Sequence, residues 1–68
     1  MRIDRAKFAA ELVRADLNVN GIAEKAGLSR GTITAIRGGK ACSKRTAEKI
    51  AFGLGVPIEA ILQNQGKA

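Results

Sequence analysis

Apolar positions in this chain come in short runs at helical spacing. The first four runs open on a small polar residue, and most runs close on glycine. Phe8, Leu12 and Ala15, with Ala9 and Val13 beside them, predict a first helix over residues 5–15. Asp4 is its N-cap, and Ile3 before the cap and Phe8 after it have the spacing of a hydrophobic staple. Asn18 opens a second helix over Val19–Ala26 that buries Ile22, Ala23 and Ala26. Gly27 stands where a left-handed residue closes such a helix. After Leu28, Ser29 caps a third helix over Arg30–Arg37, with Ile33 and Ile36 on one face and Arg30, Gly31, Thr34 and Arg37 on the other. Gly38-Gly39-Lys40-Ala41 reads as a loop. Ser43 then caps a fourth helix over Lys44–Leu54, whose stripe is Ala47, Ile50, Ala51 and Leu54, and Gly55 closes it. Pro57 suits the first turn of a fifth helix docked by Ile58, Ile61 and Leu62. A polar, frayed tail, 64–68, completes the chain. The expectation is an all-α, compact five-helix fold, with one domain over residues 1–68 and no linker or repeat.

Composition narrows the chemistry. The 68 residues include two aromatics, Phe8 and Phe52, so the core must be aliphatic. There is no histidine, which removes Ser-His-Asp, Cys-His and His-ligated metal chemistry. A single cysteine, Cys42, forms neither an internal disulfide nor a Cys-x-x-Cys clip, which fits a reducing compartment. The first residues are too charged for a signal peptide, and no apolar run approaches a membrane span. No enzymatic activity, metal, cofactor or small-molecule ligand is expected. Net charge is +6, which suggests a polyanionic partner. The excess is concentrated: residues 30–49 hold Arg30, Arg37, Lys40, Lys44, Arg45 and Lys49 against Glu48 alone, while the flanking segments are nearly neutral.

The second helix, the break at Gly27-Leu28-Ser29 and the third helix form a helix-turn-helix pattern over about 19–37. Such a unit must project its second helix far enough to enter a major groove while Ile33 and Ile36 pin its back. Residues 22–40, IAEKAGLSRGTITAIRGGK, resemble the helix-turn-helix of the Cro/CI family, also called lambda-repressor-like or Xre. The resemblance continues through Ser43, the segment IAFGLGV at 50–56 and Pro57 to Leu62, so it covers roughly 5–63. It implies a five-helix DNA-binding domain that reads duplex DNA as a cytoplasmic transcriptional regulator, a repressor or Cro-like switch.

By the same resemblance, base contacts fall on Arg30, Gly31, Thr34 and Ala35, with Thr32 at the margin. The Arg30 fork fits guanine O6 and N7, and Thr34 or Ala35 suits a thymine methyl. Phosphate contacts fall on Asn18, Ser29, Lys40, Lys44 and Arg45, and Arg37 either reaches a phosphate or favours the dipole at its helix end. Three departures stand out. Val19 replaces the glutamine usual at the start of the second helix. Leu12 and Arg37 occupy the places of a frequent arginine–glutamate bridge. Gly21 and Gly31 lie inside helices.

Plainer readings stand beside these. Arg30 also reads as a solvated surface arginine, Ser29 as a cap alone, and Lys40, Lys44 and Arg45 as solubilising charge. Cys42 reads as an incidental loop cysteine or, beside basic residues, as a redox switch. Gly53-x-Gly55 is a helix end and not a dinucleotide fingerprint. A homodimer on a two-fold operator suits half-site reading by one short helix. The alternative function is an antitoxin-like or adaptor protein whose main partner is another protein.

Overall fold

The computed structural model describes residues 1–63. They form four α-helices, α1 (Arg5–Arg14), α2 (Val19–Ala26), α3 (Arg30–Arg37) and α4 (Lys44–Leu54), followed by one 3-10 turn, Ile58–Ala60. The fold is all-α, and no strand is present among the described residues. The polar tail expected at 64–68 lies outside them.

Local chemistry sets the helix starts. Each α-helix begins on a residue in extended conformation whose side chain accepts a hydrogen bond from the third backbone N–H onward. Asp4 accepts from Lys7, Asn18 from Gly21, Ser29 from Thr32 and Ser43 from Thr46. The ends are equally local. Gly27 closes α2 at φ 71°, a left-handed conformation that costs glycine nothing. α1 stops one residue before the expected 15, because Asp16 turns left-handed at φ 57°.

The core is aliphatic apart from Phe8. Phe8, Ile22, Ile33, Ile50 and Ile61 are its largest fully enclosed side chains, and no polar side chain is buried among the described residues. α2 packs closely on α4 and α3, and α1 packs on α3. Gly53 permits the α2–α4 approach. A Cβ there would sit 3.1 Å from Ile22 Cδ1, 3.3 Å from the Ala26 backbone nitrogen and 3.4 Å from the Lys25 carbonyl carbon.

Two expectations need correction. α1 buries only Phe8 and Leu12, while Ala9, Ala15 and Val13 are exposed, Val13 by 81%. The helix lies at the edge of the fold, so only a narrow stripe meets the core. The fifth helix is a single 3-10 turn. The chain leaves it at Ile61 to pair with the N-terminal segment, which stops an α-helix from forming. Ile3 and Leu62 form an isolated antiparallel bridge, with Asp4 N–H donating to Ile61 O at 2.8 Å and Gln63 N–H to Arg2 O at 3.1 Å. On its other side the N-terminal segment meets the loop before α4, where Cys42 N–H donates to Met1 O at 2.8 Å. Ile3 thereby joins the core as the staple spacing requires.

Candidate nucleic-acid interface

α3 is pinned from behind by Ile33 and Ile36, both buried. At 100° per residue its outward face centres on Gly31, Thr34 and Ala35, all small. Arg30, Gly31, Thr34 and Arg37 are exposed, whereas Thr32 and Ala35 are half-buried on the flank toward α4. The start of α3 is tied by two hydrogen bonds between Ser29 and Thr32. Ser29 Oγ accepts the Thr32 N–H at 3.1 Å and shares a 2.8 Å hydrogen bond with the Thr32 hydroxyl. That bond draws Thr32 back toward the cap, which leaves Gly31 and Thr34 more open than Thr32.

The candidate residues fall into two groups around this helix. On one flank, Thr32 and Ala35 line a shallow depression with Lys40, Cys42 and Thr46. Lys44 and Arg45 begin α4 next to it and are exposed. On the other flank, Arg37 borders a groove with Asn18 and Asn20, floored by Leu12 and Leu17. Leu12 and Arg37 line the same groove, and Arg37 forms no ion pair among the described residues. Asn18 spends its carbonyl oxygen on the α2 cap, donated by Gly21 N–H at 2.8 Å, so its amide group remains available.

Sequence reading missed Asn20. Its Oδ1 accepts from Arg30 Nη1 at 3.3 Å, a side-chain bridge from the start of α2 to the start of α3. The available signal was a polar, outward residue beside Val19 in the first turn of α2. Arg30 keeps its remaining N–H groups for another partner.

Electrostatically the surface is unbalanced. Among the described residues the one ion pair is Arg14–Glu11 on α1, so no cation of the 30–49 block is neutralised by a carboxylate. Burial pushes the Cys42 thiol pKa up, and the nearby N-terminal ammonium only partly opposes this. A protonated, half-buried thiol does not fit the redox-switch reading. No group of acidic or cysteine side chains able to hold a metal occurs among the described residues, and no helix is long and apolar enough to cross a membrane.

Comparison with protein-family models, with curated proteins and with solved structures finds no significant match.

Proposed function

We propose that the chain is a sequence-specific, double-stranded-DNA-binding transcriptional regulator of the Cro/CI type, acting as a repressor. In this reading α2 and α3 are a helix-turn-helix within a single domain, and α3 enters the major groove. The observation that carries it is the outward face of α3. Small residues at Gly31, Thr34 and Ala35 let the backbone lie close to base edges, and Arg30, Arg37 and Lys40, all without ion pairs among the described residues, rim them. A groove about 12 Å wide admits a helix of about 10–12 Å diameter.

Each residue then has a role. Arg30, steadied by Asn20, reads guanine through a bidentate pair worth about 1–3 kcal/mol of discrimination. Thr34 and Ala35 meet a thymine methyl, and Thr32 supports the helix start. Asn18 and Ser29 place helix N-termini against phosphate. Arg37, Lys40, Lys44 and Arg45 neutralise phosphates, which contributes about −3.6 per copy of the chain to the slope of log K against log salt. Two copies on a two-fold site supply the affinity that one short helix lacks.

The test is selection of bound sequences from random duplexes at near-physiological salt, alongside Arg30→Ala. Enrichment of an inverted repeat, with one position of each half-site relaxed in the variant, supports the reading. A folded protein that enriches nothing sinks it. One observation favours a second reading, an antitoxin-like adaptor: Phe52 stands 85% exposed on α4, opposite the buried stripe of Ala47, Ile50 and Ala51. That reading expects weak DNA selectivity and tight binding to an acidic protein.

A further inference from the structure

We infer that Arg2 and Arg5 form a second phosphate-binding cleft, which grips the sugar–phosphate backbone of duplex DNA beside the end of α3. The inference rests on the DNA-binding reading and adds a site outside the mid-chain basic block. The cleft opens between the N-terminal segment and the loop after α3. Its walls include Arg2, Asp4, Arg5, Gly38, Gly39 and Gln63.

Three features suit it to a phosphodiester. First, its arginines are exposed and without ion pairs among the described residues. Its one carboxylate, Asp4, is committed to the cap of α1, where Oδ1 accepts the Lys7 N–H at 3.0 Å. Second, Arg2 is held in place. Its Nη1 donates to Gly39 O at 2.8 Å, and its own carbonyl accepts from Gln63 N–H at 3.1 Å. One N–H of five is used, so the guanidinium still offers donors in a fixed geometry. Third, Gly39 lacks a side chain at φ 105°, and the Arg5 stem passes there, with Cδ 3.7 Å from where a Cβ would stand. The arginines therefore meet the backbone of the Gly38-Gly39 loop, whose sequence neighbours are Arg37 and Lys40. An uncompensated run of cations against one loop matches a repeating array of phosphates better than a single carboxylate ligand.

The test measures duplex affinity against salt for the wild type, Arg5→Gln, Arg2→Gln, Arg5→Lys and Lys25→Gln as a control, with thermal melting to confirm that each is folded. Each glutamine variant in the cleft should reduce the slope of log K on log salt by about 0.9 per bound copy of the chain. The loss should be equal on selected and scrambled duplexes, leave the preferred sequence unchanged, and be absent in Arg5→Lys. The Arg5 side chain makes no hydrogen bond among the described residues, so its variant isolates charge from folding. The proposal is overturned if Arg5→Gln behaves like Lys25→Gln while the wild type binds DNA with a salt-dependent affinity. It is also overturned if Arg5→Gln weakens binding to poly-glutamate but not to duplex. A folded wild type that binds no duplex at any salt instead removes the DNA-binding reading itself, and the cleft's role with it.

Discussion

Gly31 and Gly53 are both helical glycines, yet they call for opposite outcomes on replacement. A Cβ on Gly31 meets nothing nearer than Ser29 Oγ at 4.0 Å, so Gly31→Ala gains helix propensity without a clash. Urea unfolding should show it more stable by about 0.5–1 kcal/mol. Gly53→Ala drives a methyl into the α2 backbone, which cannot swing aside as a side chain does, and should cost about 1–3 kcal/mol. Only the neighbour across the helix pair separates the two, which is why Gly53 reads in sequence as part of a helix end. Cys42 offers a second residue-scale test. Its folded pKa is raised, so the thiol form is favoured by folding. That contribution to stability is complete below the ordinary thiol pKa of about 8.5 and is lost as pH rises through the folded value. Alkylation at pH 8 should be slower in the native protein than in urea, and a native rate equal to the unfolded one would contradict the burial.

At the scale of elements, the boundaries of α2, α3 and α4 were readable because their signals are local. A side-chain cap and a left-handed or polar stop act within four residues, so Asn18, Ser29, Ser43, Gly27 and Gly55 define them without reference to the rest of the fold. The fifth helix was not readable, because the residues that end it, Ile3 and Arg2, are distant in sequence. Val13 has helical spacing but no helix to face, so periodicity alone overstated the width of the α1 stripe. Ser29→Ala removes the acceptor for Thr32 N–H and should lower stability by about 1 kcal/mol in thermal or urea melts. Across elements, Asn20→Ala frees Arg30 and should relax the same base position as Arg30→Ala, by less than the about 1–3 kcal/mol of the full pair, with other positions unchanged in a binding selection.

For the whole molecule, counting charge by segment located the basic block but treated residues 1–29 as neutral background. The fold brings Arg2 and Arg5 from that background to the Gly38-Gly39 loop, so two cations relevant to the candidate site were hidden by sequence distance. The same N-terminal segment carries Ile3 into the core at 3% exposure. Ile3→Ala should therefore cost about 2–5 kcal/mol, measured by urea unfolding, although the residue precedes every helix. The pairing of Ile3 with Leu62 also sets an order of events. Helical contacts close locally and early, whereas contacts between distant residues wait for loop closure. During synthesis α1 to α4 emerge before Leu62 exists, and Ile3 stays without its partner until then. Residues 2–4, made before all four helices, are thus among the last to find their place, and the nascent domain is completed only when the segment around Leu62 leaves the ribosome.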